Sequence, residues 1–282
     1  MKIPKVWSRA DGSAKDKDGK DFRLTTWGWG DTTSEAAETA RGRLEKIVSR
    51  LRDGSAGNGP GDAYGYGTLP VREEIVREVA VGNAPAAMVL TRNRYGALVL
   101  NTDDVLILDI DLPRRAGLRA LAVRLGLSRD PAHVAQERLL QLVTRQPRLA
   151  FRLYRTAAGL RAIELNQAIT AGSPEAETLM TEVGADPLYA RLCRTQQSYR
   201  ARLTPKPWRC GMPLPPGNHP REATAVRQAF ANWLSRYEQH ARTHAVCAFV
   251  DTLGVPAPAP HNRALVELHD HETHATASLP LA

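Results

Sequence analysis

The alternation of apolar and polar positions divides the chain into short strands and amphipathic helices. Trp7 and the run from Phe22 to Trp27 flank a polar, glycine-containing turn over residues 11–21, the pattern of an N-terminal β-hairpin. Ala36, Ala40, Leu44, Ile47 and Leu51 then recur at helical spacing, which predicts a helix from about Ser34 to Arg52, opened by a capping box of Thr32 and Glu35. After a glycine-rich loop at 54–67, residues 69–79 read as a short amphipathic helix with Pro70 in its first turn. Apolar runs at 87–90, 97–100 and 105–108 predict three connected antiparallel strands, the last two as a hairpin around Asn101 to Asp104. Helical pattern follows from about Ala116 to Arg145, then a second hairpin, Phe151 to Arg155 and Leu160 to Leu165. Ser173 and Pro174 open a helix to Val183, and Asp186 opens another through Cys193. Prolines 205 and 207 make Ser198 to Cys210 an extended edge, and Arg221 to His240 is a helix. An apolar run at 244–250 precedes a closing stretch to His274, expected as a solvated strand edge or tail. The fold class this implies is α+β: a mainly antiparallel central sheet covered by helices, in a single domain, with an N-terminal hairpin-helix over residues 1–85 and the sheet core over 86–282.

Composition alters that picture in two ways. A formal charge of +8, carried mostly by arginine, leans toward polyanionic partners, nucleotides or nucleic acid, although arginine content also follows genome composition. Three widely spaced cysteines with no Cys-x-x-Cys suit a reducing, cytoplasmic setting and indicate neither a disulfide framework nor a zinc knuckle. No run approaches the roughly 20 apolar residues that span a bilayer, and no membrane partner is expected.

Chemistry concentrates at the end of the third apolar run. On a strand, Asp109 and Asp111 project to one face, so two carboxylates stand side by side, with Asp103 and Asp104 nearby. Such a pair persists when solvated, when it holds a cation such as Mg or Mn, or when a basic partner neutralises it. Arg114 and Arg115 are near in sequence, and Arg155, Arg161, Arg200, Arg202, Lys206 and Arg209 form a basic set further on. Those side chains face solvent, an acidic ligand such as a phosphate, or the acid pair itself. Trp208 stands between Lys206 and Arg209. The tryptophans at 27 and 29 stack on a ligand or, more commonly, anchor the following helix. The His269 to His274 cluster matches no established zinc spacing. The glycine-rich loop lacks the Gly-Lys-Ser/Thr of a phosphate-binding loop.

A strand ending in Asp109-Ile110-Asp111, followed by Thr156 to Gly159 in a hairpin and then Arg161, resembles the palm of archaeo-eukaryotic primases and primase-polymerases. The resemblance covers about residues 87–165. It implies a nucleotidyltransferase with Asp109 and Asp111 as metal ligands and catalytic acids and a third acid later in the chain, for which Asp251 is the natural candidate and Asp270 the second. The family's nucleotide-binding histidine would fall on or beside Arg161, a departure that favours nucleotide binding over polymerisation. The rival expectation is a noncatalytic nucleic-acid-binding or adaptor protein whose acid pair is salt-bridged to its own arginines.

Overall fold

A computed structural model describes residues 1–54, 69–81, 84–113 and 129–282. Its described residues form an α+β protein whose strands pair antiparallel in three sheets. They fall into two compact units, residues 2–72 and residues 73–282, with Met1 grouped in the second. The boundary between N-terminal part and sheet core therefore lies at Arg72 and Glu73, ahead of the expected residue 85.

In the first unit, β1 (Val6–Lys15) and β2 (Asp21–Gly30) form the expected hairpin, and α1 (Thr33–Arg52) covers one of its faces. The Thr32 hydroxyl accepts from the Glu35 amide at 3.2 Å, while the Glu35 carboxylate accepts from the Asp31 amide at 2.9 Å, so the capping box closes one residue early. Helix and hairpin meet backbone to backbone: a Cβ at Gly28 would stand 2.0 Å from the Ala40 nitrogen, and the helix offers buried Ala36 and Ala40 there. The tryptophans are used in packing. The Arg43 guanidinium lies 5.0 Å from the Trp29 ring and that of Arg72 lies 4.5 Å from Trp27.

The second unit contains two four-stranded sheets. One has the order β3-β4-β5-β9, from β3 (Glu74–Val81), β4 (Ala84–Arg92), β5 (Leu98–Thr102) and β9 (Tyr199–Arg202). The other has the order β10-β7-β8-β6, from β6 (Ile107–Asp111), β7 (Phe151–Thr156), β8 (Gly159–Glu164) and β10 (Cys247–Leu253). Helices α2 (Pro131–Arg145), α3 (Pro174–Val183), α4 (Pro187–Gln196), α5 (Thr224–Ala241) and α6 (Pro260–Thr273) complete it. One core joins both sheets, with Leu100, Leu108, Leu139, Leu142, Phe151 and Leu153 fully buried. A smaller cluster of Phe230, Trp233 and Tyr237 on α5 closes over Cys210 and Met212.

Three expectations are corrected. The segment read as a helix at 69–79 is strand β3 from Glu74 onward: Ile75, Val76, Val79 and Val81 are β-branched, and pairing with β4 overrides the helical spacing. The runs around Asn101 to Asp104 are not a hairpin. β5 pairs with β4 and β9, and the chain crosses into the other sheet, where β6 pairs with β8. That corner is fixed by the Ile169 and Ala171 amides, which donate to the carbonyls of Asp104 and Asp103 at 2.7 and 2.8 Å. The closing stretch is helix α6, with Asn262, Leu265, His269 and Thr273 buried along one face, not a solvated tail. Of the helix or helices expected over 116–145, Pro131–Arg145 is helical, while residues 114–128, including Arg114 and Arg115, lie outside the described residues, as does most of the 54–67 loop. No described helix is long and apolar enough to cross a membrane.

Candidate functional site

Register across the β10-β7-β8-β6 sheet builds the site. Asp109 stands opposite Arg161, Arg161 opposite Tyr154, and Tyr154 opposite Phe249, so these four share one face in a single row. Asp111 lies one step along, opposite Gly159, on that same face. A Cβ at Gly159 would come within 1.9 Å of the Ile110 carbonyl oxygen, so the residue facing Asp111 must be glycine for β6 and β8 to pair. The Thr156 hydroxyl accepts from the Gly159 amide at 3.0 Å and shapes the turn.

Arg161 is nearly buried, and a side-chain relay holds it. Its Nη2 is 3.6 Å from Asp109, an ion pair longer than a hydrogen bond. Its Nη1 donates to the Arg202 carbonyl at 3.2 Å and lies 3.4 Å from His269 Nε2. Complete burial lowers the His269 pKa to about 4, with the neighbouring Arg161 acting in the same sense, so the ring is neutral. Its Nδ1 faces Asp270 at 3.3 Å; a proton there leaves Nε2 free to accept from Arg161. Burial pushes the Asp270 carboxyl up, but hydrogen bonds from His269, Tyr154 and Arg152 outweigh it and hold the group below its usual range. Tyr154 donates to Asp270 at 2.6 Å, as does Arg152.

From the other sheet, Arg202 reaches the same place. Its guanidinium has no ion pair or side-chain hydrogen bond among the described residues, and its buried Nε, like that of Arg161, has no partner. Burial, with Arg161 and Arg209 close by, depresses its pKa to about 10, while Asp109 pulls the other way. Asp111 is exposed and has no ion pair among the described residues. Desolvation and the charges of Asp109 and Asp186 raise its pKa, with Lys206 and Arg202 opposing. The site thus joins a crowded carboxylate pair to a buried and a half-buried arginine, each with an unpartnered Nε, one from each sheet.

The remaining candidates are dispersed. Arg155 is exposed and pairs in register with Leu160, on the opposite face of the sheet from Asp109. Asp251 stands opposite Leu153 beyond a bulge in β10, again on that opposite face, and caps the Thr252 amide at 2.7 Å. Arg200 is held by Glu73, with both carboxylate oxygens at 2.7 Å. Asp104 accepts from Thr102 and faces His261 at 2.9 Å. Lys206 and Arg209 remain beside Arg202 and Asp111. Asp186, His269 and Asp270 enter the site from elements far away in sequence. Asp186 was legible only as the cap of α4, where its carboxylate accepts from the Leu188 and Tyr189 amides, and its own amide donates to the Asp109 carbonyl at 2.9 Å. The signal for His269 was the helical spacing of Asn262, Leu265, His269 and Thr273.

Among the described residues no group of three or more histidine, cysteine or acidic side chains is placed to enclose a metal, and the Asp186 carboxylate is engaged at its helix. A magnesium or manganese ion held by the adjacent carboxylates of Asp109 and Asp111 would need water and phosphate oxygens to complete its shell. Compared with known proteins, the chain matches no family model, no curated protein and no solved structure.

Proposed function

We propose that the protein binds or transfers nucleotide or nucleic-acid phosphates with the help of a divalent cation, on a primase-like palm. Magnesium or manganese would sit on Asp109 and Asp111, and the phosphates would take the open donors of Arg161 and Arg202, with Lys206 and Arg209 adding charge. The observation that carries this reading is one buried guanidinium, Arg161, and one half-buried, Arg202, each with an unpartnered Nε, beside a carboxylate pair in which Asp111 has no ion pair among the described residues. Arg161 has Asp109 as a counter-ion but Arg202 has no ion pair among the described residues; a cation drawn from water without a counter-ion is costly, and an anion seated beside it relieves that cost. A nucleotidyltransferase needs this conjunction of metal and phosphate subsites. Calorimetric titration of a nucleoside triphosphate with magnesium tests it: D109A/D111A abolishes the magnesium-dependent binding, and unchanged binding refutes the proposal.

The Asp109 to Arg161 ion pair favours a second reading, a noncatalytic nucleic-acid-binding protein whose acid is neutralised internally. In that case binding falls steeply with salt and ignores a chelator.

A further inference from the structure

The segment between β9 and α5 displays an aromatic ring that neither hydrophobic cluster includes. Trp208 sits in a single 3₁₀ turn, Pro207–Arg209, with 51% of its surface open. Its ring meets Tyr95, from the β4 to β5 turn, edge-on at a centroid distance of 5.2 Å and an angle of 86°. Each ring carries a cation: the Arg94 guanidinium is 4.8 Å from the Tyr95 centroid and the Lys206 ammonium 5.5 Å from that of Trp208.

The backbone beneath is fixed. Prolines flank Lys206, the Tyr237 hydroxyl donates to the Pro205 carbonyl at 2.5 Å, and the Thr204 hydroxyl accepts from the Leu98 amide at 2.8 Å. On the far side, the Met212 amide closes onto the Pro207 carbonyl at 2.9 Å, and His240 Nδ1 donates to the Cys210 carbonyl at 3.0 Å. A half-exposed tryptophan forgoes part of the ~1.5–3 kcal/mol that burial of a large apolar side chain supplies. Here it does so on a hydrogen-bonded backbone with a cation beside each ring, which lowers the ordering entropy lost when a flat ring settles on it. A flat π-face with phosphate-binding side chains alongside is the recognition chemistry of unpaired bases.

We propose that the exposed Trp208 ring, braced edge-on by Tyr95, is a stacking surface for an unpaired base of single-stranded nucleic acid, with the adjoining phosphates on Arg94, Lys206 and Arg209. This deepens the proposed function and rests on it for the strand's direction, from the platform past Lys206 and Arg209 to Arg202 and the acid pair. Lys206 and Arg209 serve both places: the former is felt at Asp111 and the latter at Arg202. A base pair within a duplex keeps both faces stacked and has none to offer, so the platform selects single strands. DNA and RNA share the chemistry, and the affinities of the two strands separate them.

The test is fluorescence anisotropy with labelled oligothymidylate, oligouridylate and a blunt duplex, beside calorimetry of the magnesium nucleotide. Single strands bind more tightly than duplex. W208A weakens single-strand binding about 5- to 100-fold, as expected for loss of one stacked base, and W208F retains most of the affinity. The magnesium nucleotide titration of W208A matches that of the wild type. Equal affinity for duplex and single strand, or W208A binding the strand like the wild type, overturns the inference. So does W208A losing the nucleotide, which would make the ring a nucleoside pocket. Wild-type protein that binds strands through Trp208 but takes up no magnesium nucleotide sinks the proposed function and leaves the platform standing.

Discussion

Arg202 offers a test in which stability and binding move in opposite directions. Its pKa is depressed well below the ordinary arginine value, to about 10, chiefly by burial and then by Arg161 and Arg209. At neutral pH the group is charged in folded and unfolded chains alike, so the depression measures what the folded state gives up to keep a cation there. It corresponds to about 3 kcal/mol, present in full below pH 10 and relieved only as pH rises above 10 toward the ordinary arginine range. Arg202→Met keeps most of the aliphatic stem and removes the charge. With some loss of packing, the variant gains about 1–3 kcal/mol of stability, or roughly 2–10 °C in Tm for a unit of this size. Urea unfolding with and without magnesium nucleotide reads both effects. In the wild type, ligand at a hundred times its Kd adds about 2.7 kcal/mol; in R202M that increment disappears although the bare protein is firmer. A bare R202M less stable than wild type by about 1 kcal/mol or more refutes the reasoning, because Arg202 would then be a structural tie.

Two further substitutions probe the surrounding sheet. Glu164 is fully buried at the end of β8, and desolvation raises its pKa to about 7 despite hydrogen bonds from the Gln167, Asn166 and Ala150 amides. Between pH 4.5 and 7 the folded chain holds this proton and the unfolded chain does not. Stability therefore falls by about 3 kcal/mol as pH rises through that window. The pH profile of urea midpoints is flatter in E164Q, and parallel profiles for the two proteins would contradict the assignment. Gly159→Ala drives a methyl group into the Ile110 carbonyl, costs about 1–3 kcal/mol, and displaces Asp111, so magnesium nucleotide affinity falls with it. Wild-type stability and affinity in G159A would show that β6 yields freely there.

Local pattern made some of this architecture legible. α1, the β7 to β8 hairpin and α3 each carry their own signals, in a capping box, a small-residue turn and a Ser-Pro start, and those signals act within a few residues. The β5 and β6 runs carry no such signal. Most of their residues are buried, so neither shows the alternation that would name a covered face, and only the carbonyls of Asp103 and Asp104 bonding to residues 169 and 171 reveal the corner. β3 was misread because its apolar residues satisfy helical spacing as well as a strand's, and the choice is made by β4 across from it. At the site, the alternation placing Asp109 and Asp111 together was visible in the sequence. The identity of Asp109's cationic neighbour was not, because register between β6 and β8 selects Arg161 over Arg155. Asp251 stands apart from the acid pair for a similar reason: a bulge in β10 sets its register to Leu153 and the far face.

The crossing of the chain between β5 and β6 has a mechanical consequence. The two arginines ride on different sheets, and the Nη1 of Arg161 reaches across to the Arg202 carbonyl. Under the proposed function, an anion gripped by both guanidiniums would add a cross-tie at that seam to the core the two sheets already share. Amide hydrogens of β6 and β9, the strands that carry Asp109 and Arg202, would then exchange more slowly with the anion bound than without it. A hydrogen-exchange experiment thus reads occupancy of the site at the backbone of the seam itself.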